Sequence, residues 1–255
     1  LNFKKKNLMY IFQNHKLKKK LKEEISKKKN IKLIKKNITD IDCTNGSILI
    51  GKNKFFYDLI ILSIGGKSKL YNKITQGRSI EKNYEEVALT TNFIYSTKNI
   101  KVSQFFLKEG PLAILPFSKN MFSVVWSVSS LYFKNNHQVL KKKLSEKIQI
   151  LLNNPKIRNI EKIQFFPIKL NLKTKYFKKN ILILGDGLHA VHPIAGQGFN
   201  LVLRDIKKLS ELMSKDLKLG LSLKNSFLLN NFYETRKPEN IAIGLGINLT
   251  NIFFK

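Results

Sequence analysis

Apolar and polar positions follow two different rhythms along this chain. Between Asn14 and Lys29, Leu17, Leu21 and Ile25 recur at every fourth position among lysines, which predicts an amphipathic helix. Short apolar runs follow: IKLI at 31–34, SILI at 47–50 and DLIILSI at 58–64, with Asn45-Gly46 marking a hairpin turn. A helix, a hairpin and then a continuously apolar strand predict an α/β layer around a parallel sheet.

The rhythm changes at about Val87. Four strand-like segments, 87–95, 101–107, 111–117 and 121–129, come without long helices between them, which predicts an antiparallel sheet. Residues 137–152 read as a helix and IQFFPIKL (163–170) as a further strand. The run ILIL (181–184) then restores the α/β style and leads into GDGLHAVHPIAGQGFNLVLRD, from Gly185 to Asp205. A helix with apolar positions at 201, 203, 206, 209 and 212 and a long helical tail complete the pattern. The expected division is therefore residues 1–84 and 171–255 as one domain, interrupted by an antiparallel-sheet domain over 85–170. The fold class expected is α/β, α+β taken overall.

Composition modifies this picture in one respect. The 255 residues hold 47 Lys and Arg against 17 Asp and Glu, a net charge of +30. Only four of the basic residues are Arg, although Arg is the residue suited to bidentate phosphate recognition. The lysines are spread along the chain with Asn and Ile, as a background coding bias produces. Attraction to anionic lipid is the next reading, and no nucleic-acid-binding signature supports nucleic acid as a partner. Cys43, the single cysteine, leaves no disulfide or cysteine metal site within one chain and suits a reducing compartment. The charged N-terminal stretch lacks the apolar segment of a signal peptide. IAIGLGINLTNIFF (241–254) is too short and broken to span a bilayer, although it could lie on one. Leu1 in place of an initiating Met, and an apolar last segment, suggest a chain cut at both ends.

The glycine-rich segment carries the chemistry. Glycines between a buried strand and a helix let backbone approach a ligand closely, and the helix N-terminus offers N–H groups and a positive dipole end to an anion such as a diphosphate. Asp186, at the strand end, is suited to accept hydrogen bonds from sugar-type hydroxyls. The plainer alternative is an ordinary turn and helix cap, with Asp186 as the cap.

Gly185 to Asp205 closely resembles the second flavin-binding motif of the FAD-dependent aromatic-ring monooxygenases, in the branch that hydroxylates ubiquinone precursors, where GDAAHxxHPxAGQGxNxGxxD is the usual form. NHKLKKKL (14–21), GPLAILPFSKNMFSVVWSV (110–128) and FYETRKPEN (232–240, like the family's YExxRxxxN) extend the resemblance. It implies a Rossmann-like FAD domain, truncated here, whose flavin faces a pocket roofed by the antiparallel substrate sheet. It also implies a reaction using NAD(P)H and O2 through a flavin C4a-hydroperoxide. Residue by residue, it implies that Gly185 and Asp186 hold the cofactor, Asp186 at the ribityl or ribose hydroxyls. Pro193, Ala195, Gly196, Gln197 and Gly198 would line flavin and diphosphate, and Asn200 would lie beside the ring system. No side chain need act as nucleophile, since the hard chemistry belongs to the cofactor. His192 is read as packing near the flavin edge or as an ordinary loop histidine, and Trp126 as a core aromatic before a substrate contact. The expected partners are a polyprenylated aromatic substrate, other quinone-biosynthesis proteins and a membrane surface. The expected location is cytoplasmic, peripheral on the inner face of the membrane.

Two departures stand against the family pattern. A GxGxxG unit in a strand-to-helix context is absent from the sequence, and the motif that normally reads GADGxxSxxR is LSIGGKSKLY here (62–71). Ile64 stands where the family has Asp and Tyr71 where it has Arg, while Gly65 and Ser68 match. The alternative expectation is a non-catalytic or decayed homologue keeping the fold as an interaction partner.

Overall fold

In the computed structural model of the protein, which describes residues 10–96, 100–131, 137–224 and 226–253, the chain divides into two units. One comprises Leu1–Ile34 and Val87–Phe166, the other Lys35–Glu86 and Pro167–Lys255. The expected division at 84–85 and 170–171 is retained as a proposal about domains.

The unit formed by 35–86 and 167–255 begins with the meander β1 (Asp40–Asp42), β2 (Ser47–Ile50) and β3 (Asn53–Phe56). The β1–β2 turn carries the Asn-Gly signal: Gly46 sits at φ +67, and Asp42 Oδ1 accepts the N–H groups of Thr44 at 2.8 Å and Asn45 at 3.1 Å. This side-chain turn is why Asp and Asn with Gly read as a hairpin. Strand β4 (Ile60–Leu62) then pairs in parallel with β12 (Ile181–Ile183), and β11 (Phe177–Lys178) lies antiparallel on the other side of β12. Ile60, Leu62, Ile181, Leu182 and Ile183 are buried with Tyr71, Tyr176, Leu228, Leu229 and Phe232. Each such aliphatic side chain contributes about 1.5–3 kcal/mol of burial.

Helix α4 (Gln197–Lys218) follows, and α5 (Ser226–Phe253) packs on it. The stripe that α4 buries is Leu201, Asp205 and Leu209. Leu203 and Ile206, expected on the apolar face, are 47% and 45% exposed. At 3.6 residues per turn, 205 and 209 follow 201 down one face whereas 203 turns away from it.

In the unit formed by 1–34 and 87–166, helix α1 (Asn14–Ser26) agrees with its predicted periodicity. The expected strand at 31–34 does not form: Ile31, Leu33 and Ile34 are exposed, in a segment without regular structure. Strand β5 (Ser79–Tyr95) enters this unit at Val87 and is followed by β6 (Ser103–Leu107), β7 (Gly110–Ser118) and β8 (Met121–Ser129). The sheet order is β5-β8-β7-β6, with β9 (Ile157–Ile160) antiparallel to β5. Helix α3 (His137–Leu151) contributes Leu144 and Ile148 to a core with Leu89, Phe93, Leu112, Phe122 and Trp126. Trp126 is a buried core aromatic whose indole N–H donates to Gly110 O at 3.3 Å.

Strand β10 (Gln164–Lys173) passes into the other unit at Pro167, where Asn171 and Leu172 pair with β13 (His189–Ala190).

Candidate functional site

Parallel neighbours end at the same edge, so β4 and β12 deliver two turns side by side. The Leu184 N–H donates to Leu62 O at 3.0 Å, and beyond it the chain turns at Gly185 (φ +78) while the neighbouring chain turns at Gly65 (φ +80). The two turns interlock through glycine. A Cβ on Gly66 would stand 2.9 Å from Asp186 O, and one on Gly187 would stand 2.3 Å from the Tyr71 ring. The carboxyl ends of parallel strands are where α/β sheets place ligands, and the exposed Asp186 lies on this edge.

From there Leu188, His189, Val191 and His192 lead through Pro193 into a one-turn helix, Ile194–Gly196, which includes Ala195. Gly196, at φ +60, is the N-cap of α4 and faces open space where a Cβ would project. No side chain caps this 22-residue helix, and no acidic residue occupies its first turn. The positive end of the helix dipole therefore meets no acidic side chain of its own first turn, which suits this terminus to an anion. Asp186 does not serve as its cap. Asn200 Nδ2 donates to Gln197 Oε1 at 3.4 Å in the same turn. The expected residues thus lie on two features, Gly185 and Asp186 on the strand-end turn and Pro193 to Asn200 on the helix entry. A diphosphate with attached sugar-type hydroxyls fits this set: the positive dipole end of α4, glycine where backbone must approach, and a carboxylate on the turn.

A buried polar network behind the turn went unrecognised as a site in the sequence. Asp205 accepts hydrogen bonds from Arg236 Nε at 2.7 Å, Asn240 Nδ2 at 3.1 Å and His189 Nε2 at 2.6 Å. Arg236 also donates to Asn240 Oδ1 at 2.9 Å and to Glu239, and Asn240 Nδ2 reaches Tyr176 Oη at 3.3 Å. Burial alone would raise the Asp205 pKa, but donation from His189 and Arg236 outweighs it and holds the carboxyl below its ordinary value. Because that carboxylate only accepts, His189 Nε2 is the donor. Tyr176 is pushed up by burial. The signals were present in the last Asp of the glycine motif and in the Arg and Asn of FYETRKPEN, but nothing in their spacing showed that they meet.

A second buried pair joins the same loop to β5. The Ile194 N–H donates to His192 Nδ1 at 3.1 Å, so that nitrogen is unprotonated and Nε2 donates to Glu86 Oε2 at 2.8 Å. Tyr84 meets the His192 ring edge-on, and burial pushes its phenol up to about 12. Glu85, between them, takes φ +53, an uncommon conformation for a side-chain-bearing residue.

The two altered positions of the 62–71 motif lie together. The Ile64 side chain is 40% exposed, while Tyr71 is fully buried and its hydroxyl accepts the Ile64 N–H at 3.0 Å. Ser68 caps the intervening one-turn helix, Lys69–Tyr71, by accepting from the Leu70 N–H.

The family described as FAD binding domain matches residues 65–221. Ubiquinone biosynthesis monooxygenase COQ6 of Dictyostelium discoideum is 23% identical over 254 residues, covering 81% of this chain and 51% of that protein. Ubiquinone hydroxylase UbiL of Rhodospirillum rubrum is 26% identical over 194 residues, covering 72% and 44%. The chain thus spans about half the length of the curated relatives it matches. Among solved structures, p-nitrophenol 4-monooxygenase PnpA from Pseudomonas putida superimposes with a TM-score of 0.73 at 15% identity, covering 94% of this chain and 62% of that one. PqsL from Pseudomonas aeruginosa, described as a probable FAD-dependent monooxygenase, gives 0.70 at 16%, covering 91% and 67%. These structures share the fold, α/β with an antiparallel sheet. With the family match extending over more than half its length, the chain belongs to the FAD binding domain family.

Proposed function

We propose that this chain holds FAD at the strand-end turn and α4 N-terminus, and that its protein hydroxylates the aromatic ring of a ubiquinone precursor. The observation that carries this reading is the interlock of the Gly185–Gly187 and Gly65–Gly66 turns, within the stretch that matches the family and that also holds the glycine entry to α4. Asp186 accepts from the ribityl or ribose hydroxyls, and Gly185 lets the backbone approach. Pro193, Ala195, Gly196, Gln197 and Gly198 line flavin and diphosphate, with Asn200 beside the ring system. When bound, FAD reduced by NAD(P)H supplies the activation of O2 for transfer of one oxygen atom to the ring. The residues described here orient that group, fix the His192 ring between the Ile194 N–H and Glu86, and keep water from the reacting atoms.

The substrate in this reading is a polyprenylated aromatic compound, which resides in a membrane. The chain meets that surface peripherally, on its inner face, through its positive charge and the exposed apolar residues Leu245, Leu249, Ile252 and Phe253 of α5. No helix among the described residues is long and apolar enough to cross a membrane. Other quinone-biosynthesis proteins are the further partners, and nucleic acid is not one.

The test is the absorbance spectrum of the protein purified from the complete reading frame that carries this chain, followed by assay with a polyprenyl phenol. Bound flavin bleached by NAD(P)H, with a hydroxylated product, supports the reading. Ile64 and Tyr71 favour a second reading, a non-catalytic homologue. That reading gains if the natural protein lacks flavin and Ile64→Asp restores it.

A further inference from the structure

We infer that Tyr71 is a positioning residue for the cofactor site, tying the 63–66 turn and the 185–187 turn into one rigid ligand-facing edge. The inference rests on the FAD reading above and extends it to a residue that departs from the family pattern. Three observations converge on this side chain. Its hydroxyl accepts the Ile64 N–H, which fixes the backbone just before the left-handed Gly65. Its ring lies against Gly187 so closely that a Cβ there would fall 2.3 Å from Cζ and 2.4 Å from Oη. Finally, the turn it fixes carries Gly66, which abuts the carbonyl of Asp186.

The consequence is mechanical. Asp186 rides between two residues, Gly185 and Gly187, at which a Cβ would stand 2.9 Å from Ser63 Oγ and 2.3 Å from Tyr71 Cζ respectively. Displacing the phenol frees the Ile64 amide, and with it the orientation of both turns. The tie is uncharged, so its strength should not depend on salt as an ion pair's would. The acceptor is held on a fully buried ring, so removing it takes from the Ile64 N–H a partner fixed in place by the core.

The experiment measures FAD dissociation from the natural protein, Tyr71→Phe and Ile74→Val, the last trimming a buried methylene in the same core away from either turn. Tyr71→Phe keeps the ring and removes the acceptor. The expected result is about fivefold or greater weakening of FAD binding in Tyr71→Phe, the scale of one lost hydrogen bond. The weakening should be equal at low and high salt, and Ile74→Val should bind as the natural protein does despite a comparable fall in melting temperature. Equal FAD affinity in Tyr71→Phe overturns the inference, as does equal weakening in Ile74→Val, which would make Tyr71 structural only. A natural protein that takes up no FAD overturns the flavin reading itself, and the positioning role with it.

Discussion

Asp205 and Arg236 form a direct ion pair, Oδ1 to Nε at 2.7 Å, between two helices and with neither side chain open to water. Arg236 has no other carboxylate partner that is buried, because Glu239 is half-exposed. Removing Asp205 therefore leaves the buried guanidinium with only a half-exposed carboxylate partner. Asp205→Ala should cost about 3–5 kcal/mol of stability, as breaking one side of a buried pair does. Urea unfolding followed by circular dichroism checks it, and a loss below about 1 kcal/mol would show the pair to be incidental.

The same carboxylate sets a pH dependence. Its folded pKa lies below the ordinary 3.8, so its contribution is complete above that value and is lost as pH falls through the folded pKa. The urea midpoint should fall as pH drops below about 4, more steeply in the natural protein than in Asp205→Asn. Parallel acid slopes in the two proteins would assign the acid sensitivity to other groups.

Gly187 and Gly196 separate packing from backbone strain. Gly187→Ala must push a methyl into the Tyr71 ring and should cost about 1–3 kcal/mol by overpacking. Gly196→Ala meets open space and should cost only the left-handed conformation, about 1–2 kcal/mol. Melting temperature and FAD affinity should fall for both, since the first change displaces the Tyr71 ring and the second reshapes the helix entry. Unchanged affinity in Gly196→Ala would move the diphosphate elsewhere.

Leu249, 54% exposed on α5, tests the membrane face. Leu249→Glu should reduce sedimentation with anionic liposomes at 0.1 M salt, and raising salt to 0.5 M should reduce it for the natural protein, since screening shortens the reach of the lysines. Liposome binding that resists both changes would point to a different surface.

Much of the fold was legible because it rests on local pattern. The apolar runs at 47–50 and 181–184, the alternating strands after 87 and the Asn-Gly turn each state their structure within a few residues. What failed was burial that depends on a partner. IKLI has strand-like residues but no neighbouring strand to complete its backbone hydrogen bonds, and stays outside the sheets. On α4 the apolar residues at 203 and 206 suggested a face, whereas the buried face runs through the charged Asp205, whose partners stand 16, 31 and 35 residues away. The glycine turn was legible as a site from its composition. Its supports were not: Glu86 carries no signal of its own, and Tyr71 was visible only as a departure from a pattern.

The position of Asp205 in the middle of α4 has a further consequence. It lies eight residues beyond Gln197, about 12 Å along the axis at 1.5 Å per residue. Sliding or rotating α4 by one residue would swing the carboxylate roughly 100° away from His189, Arg236 and Asn240 together. The network works as an indexing pin: three long-range bonds far from the ligand edge decide which amides stand at the helix mouth. A loop that could otherwise grow or shrink between Gly185 and Gly196 is thereby held to one length, and changes of ligand preference must come from the side chains at the mouth, since the helix behind them cannot be re-registered.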